Sequence, residues 1–272
     1  MKVKTFFKKH WIDVVLISGI IGLLSWLVTS IFFRFNFSKK IQIFYNHFVV
    51  NEGYERLIEG MKNTFIIAIA GLVIGIIIGT LIAVFRVMPP TNRFVKYVQK
   101  FCSIYVAFFR GTPIVVQLLL GYFILFPLMQ MKITPVMACV WVFGLNSGAY
   151  ISEIMRSGIQ SVDGGQLEAA RAVGMPFSVS MLKVVVPQAI KNILPTLGNE
   201  FIALIKETAV VGYVGAVDIT VAFQYIGTNS YEFMIPYLVM ALIYIIIVAV
   251  IAGLLKLMER GFAKSERNAK HK

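Results

Sequence analysis

Polar and ionisable residues lie inside stretches of the sequence that are otherwise apolar and long enough to cross a bilayer. Glu200 and Glu207 are seven residues apart, and so are Asn199 and Lys206, which places each pair on nearly the same helical face. Because such groups are costly inside a membrane, each is first treated as a candidate for function. The chemistry that they offer is hydrogen bonding and charge pairing with a polar solute.

Five of these polar residues are candidates for lining a solute pathway. They are Gln117, Asn146, Tyr150, Asn199 and Glu200. In one stretch, Asn146, Tyr150 and Glu153 follow one another at i, i+4 and i+7, which is a helical spacing. The alternative is that such groups tie helices together, and for Glu153, Arg156 and Arg110 we favour this structural role. Glu153 and Arg156, at i and i+3, are predicted to pair with each other.

The composition excludes an ordinary soluble domain. Of 272 residues, 58% are hydrophobic and only 14% are charged, and the mean hydropathy is +0.79. A soluble globular domain carries about 25% charged residues, so lipid must be the solvent for much of this chain. The 26 basic residues exceed the 13 acidic residues and give a net charge of +13, which in a membrane protein indicates orientation and not nucleic-acid binding.

Six apolar stretches have the length of about 20 residues that a transmembrane helix needs. We predict spans at Val14–Phe33, Phe65–Phe85, Gly111–Met131, Ile133–Ser152, about Ala189–Val211, and Phe233–Leu255. The first is too long for the apolar part of a secretory signal and lacks a small-residue cleavage site, so we expect it to be retained. The predicted fold class is therefore an all-α polytopic membrane protein.

The distribution of basic residues predicts the orientation of these spans. Nineteen of the 26 lie in four segments: 1–11, 86–110, 153–192 and 256–272. Cytoplasmic segments are enriched in Lys and Arg, so both termini and the long 153–192 segment are predicted to be cytoplasmic.

The same pattern predicts four divisions of the chain. They are an N-terminal tail with an extra helix (1–35), an external amphipathic segment (36–62), a transmembrane domain (63–258) and a basic cytoplasmic tail (259–272). Within the transmembrane domain, Gly71, Gly75 and Gly79 are four residues apart, a spacing that allows close packing of helices in lipid.

The 153–192 segment is unusually long for a chain whose other connections are short. We predict a short helix over Gln166–Val173, a turn at Gly174, and a second short helix over Phe177–Val185 that ends before Pro187. Two short helices joined at a glycine would form a compact unit that projects from the membrane.

The sequence of this unit resembles the EAA loop of the membrane subunits of bacterial ABC importers. Glu168, Ala169 and Ala170 are followed by Gly174 and, after nine residues, by an apolar pair and Pro187. The stretches FRGTP, GAYISEIMRSGI, PQAIKNILPTLGNEFI and KETAVVGYVGAVDIT are similar to the polar amino acid uptake permeases. The resemblance covers about residues 60–260, and the chain departs from it at Glu207 and Ala209, where relatives commonly have Asp and Ser.

This resemblance implies a fold, a function and a set of partners. The fold is a type I importer core of five helices, to which the first span is an addition, in the bacterial cytoplasmic membrane. The function is import of a polar amino acid, driven by a separate ATPase that docks on the loop. The implied docking residues are Gln166, Glu168, Ala169, Ala170, Gly174 and Pro187. Implied partners are ATPase subunits, a second copy or a sister permease, and an extracellular binding protein.

The sequence predicts no enzymatic or cofactor chemistry in this chain. The phosphate-binding pattern GxxxxGK[ST] is missing, so ATP and Mg²⁺ are expected on the partner ATPase. The three histidines are far apart and Cys102 and Cys139 lie in apolar surroundings, so we predict no metal site and no catalytic residue. The main alternative is a secondary transporter or channel that needs no ATPase, for which internal repeats would be expected.

Overall fold

The computed structural model describes residues 15–27, 29–30 and 36–270, with side chains as far as Gly261. These residues form helices and no strand, which confirms the all-α prediction for the described part of the chain. The basic start of the sequence (1–11) and both ends of the first predicted span lie outside the described residues. Its middle forms α1, the apolar helix Val15–Leu27.

Four helices in the described ranges are long and apolar enough to cross a membrane. They are α3 (Gly53–Val87), α6 (Pro135–Gln160), α8 (Phe177–Val214) and α10 (Met234–Lys270). A fifth crossing is formed if α4 (Arg93–Gly111) and α5 (Ile114–Leu128) make one broken span, since their axes are bent by 107°. Shorter helices are α2 (Phe37–Tyr45), α7 (Gly164–Ala172) and α9 (Ile219–Ser230).

Two predicted boundaries are corrected by the structure. The amphipathic segment 36–62 is divided: α2 and a π-helical turn at Asn46–Val50 form its first part, and residues from Gly53 onward belong to the long helix α3. Leu57 of that helix is buried and belongs to the same hydrophobic core as residues of α9, so this part is no surface helix.

The second correction concerns Pro187, which does not end a separate short helix. The chain from Phe177 runs through a π-helical turn at Met181–Val185 and continues as α helix to Glu207. Pro187 lies in the first turn of the segment after the π turn, where a missing N–H is tolerated. The predicted loop 153–192 is thus short, and only residues 161–176 separate α6 from α8.

The glycine face predicted on α3 is confirmed, and it packs on α6. Gly71, Gly75 and Gly79 are buried. A methyl group built on Gly75 would lie 2.9 Å from Cβ of Ser147, and one on Gly79 would lie 2.8 Å from Cβ of Ile151. The two helices approach so closely that only glycine fits, which sets α6 and its polar residues against α3.

A second group of contacts fixes the end of the molecule opposite the loop. The Phe48 ring stacks parallel to Phe223 of α9, with ring centroids 6.5 Å apart. Lys40 of α2 pairs with Glu232, with Nζ and Oε2 2.8 Å apart. These contacts attach the segment before α3 to the connection between α9 and α10.

Candidate functional site

The connection between α6 and α8 is built by local backbone chemistry. Asp163 caps α7, since its Oδ1 accepts a hydrogen bond from the N–H of Gly165 at 2.9 Å. At the other end, Gly174 has φ of +88°, and the N–H of Met175 bonds to the carbonyl of Ala170 at 3.2 Å. This is a Schellman ending, which favours glycine, so the predicted turn at Gly174 is confirmed.

The α7 helix has one face against α8 and one face open. Ala170 is buried, whereas Gln166, Glu168 and Ala169 are exposed. Val173 is 78% exposed, which is unusual for a side chain that has only apolar atoms. Together α7 and Val173 present a small, partly apolar surface.

Glu168 lies beyond the first turn of α7, and the first turn contains no acidic residue. An acid offsets the helix dipole chiefly within the first turn, so interaction with the dipole does not account for Glu168. Glu168 also has no ion-pair partner among the described side chains. Its carboxylate is therefore available to a group outside this chain.

Hydrogen bonds attach the loop to the helix that follows it. Nδ2 of Asn192 donates to Oγ of Ser161 at 2.8 Å, and Oγ of Ser180 donates to the carbonyl of Pro176 at 3.1 Å. Nε2 of Gln188 lies 3.5 Å from Oε1 of Gln166. These contacts attach the loop to the part of α8 between Ser180 and Asn192.

An ionic group joins α3 and α6 close to the same loop. Glu153 bonds Arg86 of α3 through Oε1, and Oε2 accepts from Nε and Nη2 of Arg156 at 3.0 and 2.6 Å. The sequence predicted the Glu153–Arg156 pair, which is confirmed. The sequence did not predict Arg86 as a partner of Glu153. Arg86 is 67 residues from Glu153, and it was counted only among the basic residues that indicate orientation.

Two predicted pathway residues are brought together in the interior. Nδ2 of Asn146 donates to Oε1 of Gln117 at 2.9 Å, and both side chains are buried. Nε2 of Gln117 donates to the carbonyls of Phe109 and Thr112, at 2.8 and 3.0 Å. These amides satisfy backbone groups that the bend between α4 and α5 leaves free.

Two further candidates also have partners within the chain. Oε1 of Glu200 accepts a hydrogen bond from Oγ of Ser147 at 3.1 Å, which ties α8 to α6. The Tyr150 ring lies under the guanidinium of Arg110, 5.4 Å from the ring centroid. We call Gln117, Asn146, Tyr150 and Glu200 the internal polar group, because each contacts another residue of this chain.

Asn199, the fifth candidate, has a different environment. It is exposed, and so are Lys206 and Tyr213, which follow at seven-residue steps along α8. We call these three residues the exposed polar stripe. Lys206 borders a groove of about 570 Å³ that is otherwise lined by Ala209 and residues of α10.

A second groove of about 400 Å³ continues the stripe. It contains hydroxyl and amide groups and is lined by Ala209, Gly212, Tyr213, Thr220, Val221 and Gln224. Ala209 borders both grooves, so they are neighbours. Thr220 and Gln224 were not among the predicted pathway residues, because neither lies in a predicted span.

Asp218 is a buried carboxylate that sequence reasoning also missed. It caps α9, since Oδ1 accepts from the N–H of Val221 at 2.9 Å and Oδ2 from that of Thr220 at 3.0 Å. Burial raises the pKa of the Asp218 carboxyl above its ordinary value. Since its oxygens bond backbone groups, Asp218 positions the wall of the second groove.

The long apolar helices, the ionic group at one end and the projecting loop define a multi-pass helical membrane protein. Residues 71–264 match the model of the family described as binding-protein-dependent transport system inner membrane component. The chain belongs to this family. The family is one of transport components and not of enzymes.

Known permeases are similar to three quarters of the chain. A putative glutamine transport system permease protein of Rickettsia typhi is 38% identical over 204 residues, which is 75% of this chain and 91% of the relative. The arginine transport system permease protein ArtQ of Bacillus subtilis is 37% identical over 204 residues, which is again 75% of this chain and 91% of the relative.

A solved structure shows the same fold. The crystal structure of an amino acid ABC transporter with histidines has a TM-score of 0.71 at 38% identity, covering 78% of this chain and 96% of that chain. The predicted resemblance to a type I importer permease is confirmed. The alternative of a secondary transporter or channel is not favoured by any of these similarities.

Proposed function

We propose that this chain is the membrane subunit of an ATP-driven importer for a polar amino acid. The observation that carries the proposal is the α7 loop, which is held rigidly on α6 and α8 while its outer face is open. The relatives described as glutamine and arginine permeases support a polar amino acid as the substrate class.

The loop is the proposed docking site for an ATPase subunit. Ala169 and Val173 permit close approach, Glu168 offers a charge for a charge-assisted hydrogen bond, and Gly174 fixes the turn. Gln166 and Ala170 attach the loop to the first half of α8, which contains Pro187. Closure of the ATPase would then move α8 as a rigid body. ATP and Mg²⁺ are held by the ATPase in this proposal.

The exposed polar stripe is the proposed wall of the solute pathway. Asn199, Lys206 and Tyr213 lie on a membrane-spanning helix, where contact with lipid would be costly. A second permease, either a copy of this chain or a sister chain, would cover the stripe and enclose the grooves. The internal polar group is then structural, because its hydrogen bonds are made within the chain.

The chemistry of the stripe suits a zwitterion. The Lys206 ammonium can pair with a carboxylate, and the Gln224 amide and the Thr220 hydroxyl can bond an amine or a polar side chain. We propose that an extracellular binding protein delivers the substrate at the end formed by α2 and α9. The α7 loop and both termini lie on the cytoplasmic side in this proposal.

Co-purification tests the docking assignment. The intact chain is expressed with its candidate ATPase, beside a variant that lacks Gln166–Gly174. We expect the ATPase to remain bound to the intact chain and to be lost from the variant, while both chains insert into the membrane. An ATPase that stays bound to the variant would refute docking on the loop.

A further inference from the structure

The α4 helix has three distinct sectors along its length. One sector, which includes Cys102 and Val106, is buried against the rest of the chain. A second sector is aromatic and aliphatic, and a third is basic. Neither of these two is covered by another described part of the chain, so α4 presents both to its surroundings.

The apolar sector is large and strongly exposed. Its side chains follow at steps of three and four residues and are between 51% and 71% exposed: Phe94, Tyr97, Phe101, Ile104 and Phe108. In water, a continuous stripe of this size would expose tens of Å² of apolar surface from each ring, which is unfavourable. In a membrane protein the natural environment for it is lipid.

The basic sector lies beside the apolar stripe in the first half of α4. Arg93, Lys96 and Lys100 are exposed, and the sequence contains no acidic residue between Arg86 and Gly111. Lys96 and Lys100 are four residues apart and therefore point to the same side. Their charge is uncompensated by any acidic neighbour along this helix.

Contacts with α3 place this half of α4 beside the end of that helix. Nε2 of Gln99 donates to the carbonyls of Phe85 and Met88, at 3.0 and 2.8 Å. Arg86, between them, pairs with Glu153, so at this end of α3 the apolar stretch gives way to charged groups. The first half of α4 therefore lies beside the charged end of a span, which is the part that faces lipid headgroups.

The α4 helix runs obliquely past α6. Its first half lies beside Arg86, which bonds Glu153, whereas the carbonyl of Phe109, near its other end, accepts a hydrogen bond from Nδ2 of Asn146 at 3.3 Å. The first half, with aromatic residues on one side and Lys and Arg on the next, has the pattern of an interfacial helix.

We propose that the first half of α4 is an interfacial anchor whose basic residues Arg93, Lys96 and Lys100 bind the phosphates of anionic lipids. Phe94, Tyr97 and Phe101 enter the acyl region, and the lysine stems extend to the headgroups. The anchor holds the α3–α4 connection at the same end of the molecule as the α7 loop. It needs neither a substrate nor an ATPase.

Lipid preference provides the first test. The purified chain is reconstituted in phosphatidylcholine with spin-labelled phosphatidylglycerol or spin-labelled phosphatidylcholine, and the fraction of motionally restricted label is measured. We expect a preference for phosphatidylglycerol that falls about fivefold for each lysine removed in Lys96→Gln and Lys100→Gln. The matched control is Lys39→Gln with Lys132→Gln, which removes the same charge from exposed positions elsewhere.

An unchanged preference in the α4 double variant would overturn the proposal, and so would an equal loss in the control. If the α4 variant instead loses an ATPase subunit and keeps its lipid preference, the basic sector is a protein contact and the proposal is wrong.

Spin labels on α4 test the orientation independently. Phe101→Cys and Ser103→Cys place labels on different sectors, and the native Cys102 and Cys139 are buried. In vesicles we expect relaxation of the Phe101→Cys label by oxygen, which concentrates in lipid, and of the Ser103→Cys label by a water-soluble nickel chelate. Nickel accessibility at both positions, or oxygen accessibility at both, would contradict an interfacial helix.

Discussion

The internal polar group and the exposed polar stripe consist of similar residues in opposite environments. Asn146 is buried and bonds Gln117, whereas Asn199 is exposed on α8. Polarity within a span therefore does not identify a pathway residue. What separates a structural tie from a pathway candidate is whether the chain itself supplies the hydrogen-bond partner.

This comparison predicts that changes around the internal group reduce stability, while changes on the stripe reduce transport. The largest effect is expected where packing holds the internal group in place. In Gly75→Leu the new side chain would collide with Ser147, which bonds Glu200. We expect a loss of stability of about 3 kcal/mol or more, seen as little folded protein in size-exclusion chromatography.

Gly253→Leu is the control for that variant, because a methyl group on Gly253 would have no neighbour within 4 Å. Equal yields of the two variants would show that the α3–α6 contact does not support the internal group.

The next effect separates the two asparagines directly. Asn146→Ala leaves Oε1 of Gln117 without a donor in the interior, so we expect a loss of about 2 kcal/mol in thermal or denaturant unfolding. Asn199→Ala is expected to keep its stability within about 0.5 kcal/mol and to lower uptake about fivefold. The reverse pattern, a stable Asn146→Ala variant that has lost uptake, would indicate that Asn146 lines the pathway.

A smaller effect is expected at the ionic group, where solvent reaches the charges. Glu153 is 18% exposed, so Glu153→Gln should cost about 1 kcal/mol, and less as the salt concentration rises. Glu168→Gln is the matched control, since Glu168 is exposed. A cost at Glu153 that is independent of salt would mean that the contact is not chiefly ionic.

The sequence predicted those features that depend on neighbouring residues. The turn at Gly174, the glycine face of α3 and the Glu153–Arg156 pair each follow from spacings of a few residues, and all three are confirmed. The continuation of α8 through Pro187 was missed, because a π turn is not visible in hydropathy. The pairing of Asn146 with Gln117 and of Glu153 with Arg86 was missed because those partners are distant in sequence.

The segment 36–62 illustrates the same limit. Ile41, Phe44 and Phe48 have a helical spacing, as do Tyr54, Leu57 and Met61, and the sequence assigned both groups to a single surface segment. In the structure, the backbone turns between Phe48 and Leu57, at Glu52 with φ of +56°, and the two halves belong to different helices. Side-chain periodicity cannot show such a change of direction.

Uptake by the reconstituted transporter tests the central claim that α7 couples this chain to an ATPase. Gly174→Asp places a side chain at φ of +88°, whereas Gly164→Asp adds the same charge to the same loop at a position that tolerates it. We predict that ATP-driven amino acid uptake is abolished in Gly174→Asp and retained in Gly164→Asp, with normal membrane insertion of both. Normal uptake by Gly174→Asp would contradict the account.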